Sequence, residues 1–335
     1  MKKISLKNKP TFIEVCAGAG GLSTGLIKAG FAPLLLNDNN SECCQTLKNN
    51  HPGANVVCCS MNNLGTHLDS FIGKVDVLTG GIPCQSFSQI GSRHGLDDPR
   101  GDLMFKFADM VDLLKPKIFM IENVKGLLSH DHGKTIQTII NNLNKHAQYH
   151  VQYTVLNASK FGVPQKRERV FIVGVQKQHN LNFTFPIEDE HVTILREALI
   201  DVPESDGAQY PDAKKKLFDM IPQGGCWVDL PIEIQKSYLG NSYLSGGGKR
   251  GILHRLSMDK PSLTLLCTPS QKQTERCHPT ESRPLTIREY ARIQTFSDQY
   301  MFTGSMASQY KQIGNAVPVE LARRIGKSLY GALRM

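Results

Sequence analysis

Between residues 11 and 175 the chain alternates strand-like and helix-like segments. That order constrains the fold more than any other feature of its 335 residues. Runs rich in β-formers stand at 11–16, 33–37, 54–58, 75–79 and 117–121. Residues 21–29, 42–49 and 135–143 read as helices, and 103–114 sets Leu103, Phe107, Met110 and Leu114 at helical spacing. Two further strands, 151–156 and 170–175, lie close enough in sequence to pair. A repeated β-α-β-α order predicts an α/β fold, a doubly wound and mostly parallel sheet. Such sheets bind ligands beyond the carboxyl ends of their strands.

The pattern changes after residue 178. Residues 179–285 carry short apolar runs, many Pro and Gly, the Lys214-Lys215-Lys216 triplet and the glycine-rich SGGGKRG at 245–251. This predicts a smaller irregular domain or a large insertion, with helices returning at 286–294 and 319–333. The expected division is 1–178, then 179–285, a hinge at 286–311, and a C-terminal segment 312–335 returning to the first domain. No apolar run reaches membrane-spanning length, and MKKISLKNKP has no apolar stretch after its lysines, so an intracellular protein is expected. Nine cysteines without CxxC spacing suit reduced thiols rather than a disulfide framework. Cys277-His278 lacks a second ligand pair, and no metal is expected. The net charge of +9 favours a polyanionic partner, although solubility alone accounts for a moderate excess.

Four short patterns carry the chemistry. Ala17-Gly18-Ala19-Gly20-Gly21 lies between a strand and a helix, where glycines let backbone N–H groups approach a ligand. Asp38, about twenty residues on, suits the hydroxyls of a ribose. The pair implies a nucleoside-bearing cofactor, either a dinucleotide or S-adenosylmethionine. Residues 80–91, GGIPCQSFSQIG, place Cys84 just past a strand, where a nucleophile would stand. Ile121-Glu122-Asn123-Val124 ends the neighbouring strand, so Glu122 and Cys84 would face one crevice, a thiol and a carboxyl suited to covalent catalysis with acid assistance. Gln165-Lys166-Arg167-Glu168-Arg169 enters a strand, where Gln165, Arg167 and Arg169 would share a face and call for anions. Gln312-Ile313-Gly314-Asn315-Ala316-Val317-Pro318 precedes the last helix, with Pro318 in its first turn.

In this order the patterns resemble the cytosine-C5 DNA methyltransferases, prokaryotic members above all. The resemblance covers nearly the whole chain and includes GSRHGLDDPRG at 91–101, QKRERVFIVG at 165–174, RPLTIREYARIQTF at 283–296 and QIGNAVP at 312–318. It implies a Rossmann-like catalytic and cofactor-binding domain and a target-recognition domain at 179–285. S-adenosylmethionine is then the cofactor and double-stranded DNA the substrate. The restriction-modification setting implies an endonuclease acting on the same site without a stable complex. It also implies a monomer in a prokaryotic cytoplasm, associated with the nucleoid.

The resemblance assigns roles by position. Cys84 attacks C6 of a cytosine flipped out of the duplex, Glu122 holds N3 and the exocyclic amine, Arg167 supports the base, and Arg169 holds the site. Burial would keep the Glu122 carboxyl partly protonated. The cofactor would be held by Cys16, Ala17, Gly18, Gly20, Gly21, Asp38, Asn39, Ser60, Met61, Pro83, Leu103, Asn315 and Ala316. DNA would be met by Gln85, Ser88, Arg93, Arg100 and Gln165, and in the variable region by Arg250, Arg255, Lys272, Gln273 and Arg276. Residues 88–101 form a loop rich in Gly, Ser and Asp, and its GSRHGLDDPRG run resembles one that closes over the flipped base. Three positions depart from the family pattern, which has Phe at Cys16, an aromatic at Asn39 and Asp at Ser60. These imply softer contacts to the adenosine. A transfer-RNA methylase sharing the motifs and a non-catalytic DNA-binding relative are the alternatives. A nicotinamide dehydrogenase would explain the glycine loop but neither Pro83-Cys84-Gln85 nor the Gln165–Arg169 run.

Overall fold

A computed structural model of the protein describes residues 9–83, 102–145, 148–244 and 251–334. Cys84, Gln85, Ser88, Arg93, Arg100 and Arg250 lie outside the described residues, as does the 88–101 loop.

A seven-stranded sheet in the order β3-β2-β1-β4-β5-β8-β6 forms the larger part. Its strands are β1 (Thr11–Val15), β2 (Ala32–Asp38), β3 (Val56–Cys58), β4 (Val77–Gly81), β5 (Ile118–Val124), β6 (Tyr149–Asn157) and β8 (Glu168–Gln176). The first five run parallel, and β8 pairs antiparallel with both β5 and β6. The chain builds outward from β1 to β3, then restarts at β4 on the other side of β1. That reversal is the topological switch point, where such sheets open a crevice.

The glycine pair that sequence spacing placed after a strand lies inside it. A Cβ on Gly80 would stand 2.7 Å from the Val15 carbonyl oxygen, so β4 runs through Gly81 only because residue 80 has no side chain. Helices α1 (Gly21–Ala29), α2 (Ser41–Asn50), α3 (Gly65–Leu68), α4 (Asp102–Leu114) and α5 (Lys134–Leu143) connect the strands. Phe107, Val111 and Leu114 of α4 join Ile136, Ile139 and Leu143 of α5 in a core with Leu78, Phe119, Ile121 and Ile172 of the sheet. Full burial of each such side chain contributes about 1.5–3 kcal/mol.

The last helix, α12 (Val319–Arg334), packs on α1 at very short range. A Cβ on Gly25 would lie 2.7 Å from both the Val319 carbonyl oxygen and the Arg323 nitrogen, and backbone cannot swing aside. Gly25→Ala is therefore expected to cost about 1–3 kcal/mol by overpacking. The check is a thermal midpoint lowered by several degrees.

The chain divides into two compact units. The first holds residues 1–157, 168–188 and 317–335, and the second holds 158–167 and 189–316. This division differs from the expected segments. Residues 179–188 stay with the sheet, where Gln152 Nε2 donates to the Phe183 carbonyl at 3.2 Å. Residues 158–167 leave it, because Arg167 and Gln165 find their partners in the second unit.

That unit contains the two-stranded pair β7 (Gln165–Lys166) and β9 (Ser262–Leu263). Its helices are α6 (Leu195–Leu199), α7 (Asp212–Asp219), α8 (Ile232–Leu239), α9 (Asn241–Leu244), α10 (Ile287–Ile293) and α11 (Met306–Asn315). A core of its own gathers Tyr210, Phe218, Ile221, Trp227, Leu230, Leu253 and Cys277. Weak periodicity hid this core because its members come from short helices and loops. Helix α10 starts on Thr286, whose Oγ1 accepts from Glu289 N at 3.3 Å while Glu289 Oε2 accepts from Thr286 N at 2.7 Å. Helix α11 was not read from sequence. It begins on Ser305, whose Oγ caps Ser308 N, buries Tyr310 and Ile313, and takes in residues 312–315 of the QIGNAVP run.

Candidate active site

At the end of β1 the chain turns sharply. Cys16 has φ 51°, Gly18 φ 54° and Gly20 φ 78°. A left-handed conformation is ordinary for glycine and uncommon for cysteine. Ala17 N donates to the Asn37 carbonyl at 2.9 Å, which ties the loop to β2. Asp38, the last residue of β2, accepts from Gly18 N at 2.8 Å through Oδ2 and from Asn40 N at 2.9 Å through Oδ1. A Cβ at Gly18 would meet nothing within 4 Å, so this backbone borders open space. Gly20 caps α1 without a side-chain hydrogen bond, and Gly21 is its first residue. A carboxylate beside a glycine turn is a place where a ribose-bearing cofactor could be held.

The softened positions also fall at this end. Asn39 is exposed. Ser60 lies two residues beyond β3 and caps the turn at Met61–Asn63, its Oγ accepting from Asn62 N at 3.4 Å. Met61 is buried, Leu103 is half-buried in the first turn of α4, and Pro83 is exposed. Burial, then the charges of Asp38 and Glu14, pushes the Cys16 thiol up to about 12. Cys16 is therefore a neutral thiol and no competitor as nucleophile.

Glu14, on β1, was not singled out from sequence. It is 1% exposed, and burial pushes its carboxyl up to about 8, with Asp38 adding and Ser23 opposing. A carboxyl whose folded value exceeds its unfolded value near 4.5 binds its proton more tightly when folded. Its contribution is full below that unfolded value and is lost as pH rises through about 8. Glu14→Gln cannot ionise, so its thermal midpoint should fall less than the parent's between pH 5 and 9. Parallel curves would remove Glu14 from the account.

The carboxyl end of β5 carries Glu122, paired in register with Gly81 of β4. Its Oε1 lies 3.0 Å from Arg169 Nε, and both side chains are nearly buried. Arg169 faces Val124 across the β5–β8 ladder, which fixes it there. A Cβ at Gly81 would be 3.5 Å from Glu122 Oε2, so the carboxylate lies alongside the β4 backbone. Asn123, also given no role from sequence, donates from Nδ2 to the Ile82 carbonyl at 2.9 Å. That bond holds the segment leading to Pro83 and Cys84. The sequence expectation for Glu122 considered burial alone, and the structure adds the Arg169 guanidinium beside its carboxyl.

The Gln165–Arg169 row is not one strand. β7 ends at Lys166 and β8 starts at Glu168, with Arg167 between them, its carbonyl accepting from Ala158 N at 2.9 Å. Arg169 finds Glu122 in the first unit. In the second, Arg167 is 1% exposed and directs Nη1 to the Leu265 carbonyl and Nη2 to the Asn315 carbonyl, each at 3.4 Å. Gln165 is fully buried. Asn315 is exposed and accepts the Cys267 thiol on Oδ1 at 3.0 Å, while Ala316 is buried.

Two residues expected to meet DNA are committed elsewhere. Arg255 is 5% exposed and donates to the carbonyls of Phe218, His278, Pro279 and Glu281. Arg276 is 7% exposed and donates to the carbonyls of Thr264 and Glu275. Both hold loops together, a use that composition cannot distinguish from recognition. Lys272 is exposed, its ammonium 5.2 Å from the centre of the Tyr238 ring, and Gln273 is exposed beside it. Among the described residues no group of three His, Cys, Asp or Glu could hold a metal ion, and no helix is long and apolar enough to cross a membrane.

Comparison with known proteins gives the family and the fold. The family of C-5 cytosine-specific DNA methylases matches over residues 10–331. The chain is 47% identical over 336 residues to the Type II methyltransferase M.Eco47II of Escherichia coli, spanning 98% of this chain and 80% of that protein. It is 46% identical to M.Sau96I of Staphylococcus aureus, over 96% of this chain and 76% of the relative. Among solved structures, a DNA modification methyltransferase encoded within an E. coli prophage superposes with a TM-score of 0.73 at 24% identity, covering 98% of this chain and all of that one. The S. pombe Dnmt2 methyltransferase gives 0.69 at 15% identity, over 98% of this chain and all of that one.

Proposed function

The chain belongs to the C-5 cytosine-specific DNA methylase family, and on that premise we propose that it methylates C5 of one cytosine within a specific duplex sequence, as the modification enzyme of a restriction-modification system. The supporting observation is Glu122. It is a nearly buried carboxylate fixed by Arg169 at 3.0 Å, in register with the strand that leads to Pro83 and Cys84.

Cytosine C5 is too weak a nucleophile to take a methyl group unaided. Addition of the Cys84 thiolate to C6 places an electron pair at C5. Glu122 holds N3 and the exocyclic amine and shares a proton at N3 as the adduct forms. Arg169 keeps that carboxylate in place, and Arg167 supports the base. S-adenosylmethionine, when bound, supplies an electrophilic methyl on its sulfonium. A base then takes the C5 proton, and the electron pair expels Cys84 to leave 5-methylcytosine. The target must leave the base stack first, at a cost of about a few kcal/mol. Asp38 and the Cys16–Gly21 turn suit the adenosine part of the donor.

Labelled S-adenosylmethionine offered with duplex DNA and with transfer RNA, side by side, tests the proposal. Label should enter the DNA, and bisulfite sequencing should find protected cytosines at one recurring sequence. Label in transfer RNA alone, no transfer at all, or scattered protection would each overturn it.

A further inference from the structure

In the second unit, the amides of Gln165 and Gln294 form a buried chain that ends on both sides of Arg167. Gln165 and Gln294 are each 0% exposed. Gln294 Nε2 donates to the carbonyls of Ile313 (2.7 Å) and Ala316 (3.1 Å). Gln294 Oε1 accepts from Gln165 Nε2 at 2.9 Å, and Gln165 Oε1 accepts from Leu265 N at 3.0 Å. The orientation of both amides is fixed by this pattern, since reversing either would set oxygen against carbonyl oxygen.

The chain grips backbone groups flanking the two carbonyls that receive Arg167. Leu265, whose N–H is held by Gln165, gives its carbonyl to Nη1. Asn315, which lies between the two carbonyls held by Gln294, gives its carbonyl to Nη2. Gly314 closes the arrangement, because its Cβ would stand 2.5 Å from the Leu266 carbonyl oxygen. The 265–267 segment and the C-terminal end of α11 are thus in direct backbone contact.

We propose that Gln294 is a positioning residue for the methyl transfer, fixing through Gln165 and the C-terminal end of α11 the two carbonyls that aim the Arg167 guanidinium. This rests on the reading that Arg167 supports the target cytosine. Gln294 touches no reacting atom in this assignment. A displacement of about 1 Å in a catalytic group can cost on the order of a hundredfold in rate, so a lost amide in this chain is sufficient to impair turnover.

Steady-state kinetics on the full chain tests it, with Arg167→Lys, Gln294→Met, Gln165→Met and the Arg167→Lys/Gln294→Met double variant. S-adenosylmethionine affinity and the thermal midpoint are measured alongside. Gln294→Met and Gln165→Met should each lower kcat about tenfold or more, with KM for DNA and donor affinity within about twofold of the parent. The double variant should be no slower than Arg167→Lys alone, because both changes disable one device. If Arg167→Lys itself leaves kcat intact, the underlying reading of Arg167 fails. If Arg167→Lys is slow but Gln294→Met and Gln165→Met are not, the positioning proposal fails. Multiplying losses in the double variant, or losses of donor affinity matching those in kcat, would reduce Gln294 to a structural role and overturn it as well. Should Gln294→Met not fold, Gln165→Met carries the same comparison.

Discussion

Cys84→Ala should abolish methyl transfer to DNA, by about 10,000-fold or more, with each tenfold standing for about 1.4 kcal/mol of barrier. The reason is electronic. Without addition at C6 there is no electron pair at C5 for the methyl group to meet. Cys16 does not substitute, because burial holds its thiol neutral up to about 12. Binding should survive, since the thiol is asked for a bond in the transition state rather than for affinity. The measurement is single-turnover transfer of labelled methyl, with donor and DNA binding followed separately. DNA carrying 5-fluorocytosine adds a second readout. With fluorine in place of the C5 hydrogen, elimination stalls, and the parent protein should gain the mass of a covalent adduct that the alanine variant lacks. Undiminished transfer by Cys84→Ala would refute the mechanism outright.

Glu122→Gln should lower kcat by about 100- to 1,000-fold, within the range of general acid–base catalysis. The amide keeps the length of the side chain and an oxygen that Arg169 Nε can still reach, so the fold should hold. It loses the negative charge and the shared proton at N3. Arg169 is then left nearly buried beside a neutral group. KM for DNA should change little, because the lost interaction grows only as the adduct forms. A rise in KM with kcat preserved would move Glu122 from catalysis to binding. The Arg169 pairing makes the substitution informative, since a carboxylate held at 3.0 Å has little freedom to find another role.

The fold was largely legible because each of its signals is local. Period-two and helical spacing marked most strands and helices of the sheet, and Asp38 lies at the end of β2 as its distance from the glycine turn implied. The motif residues Glu122, Arg167 and Gln165 could be named from sequence, but their partners could not. Arg167 and Arg169 are two residues apart and looked alike, yet one meets two carbonyls and the other a carboxylate. Gln294 had no signal of its own inside RPLTIREYARIQTF.

The arginines of the variable region show the same limit from the other direction. Arg255 and Arg276 have the composition of recognition residues, but their guanidiniums satisfy loop carbonyls that only folding brings together. The sequence by itself determined the alternating α/β order, the family motifs and the chemistry they imply, because propensity, spacing and residue type act along the chain. Tertiary structure decided which carbonyl or carboxylate each polar side chain answers, where the two units divide, and that Gly25 and Gly80 lie against backbone. Those depend on atoms distant in sequence, and a buried donor or acceptor must be paired with whichever of them the packing delivers.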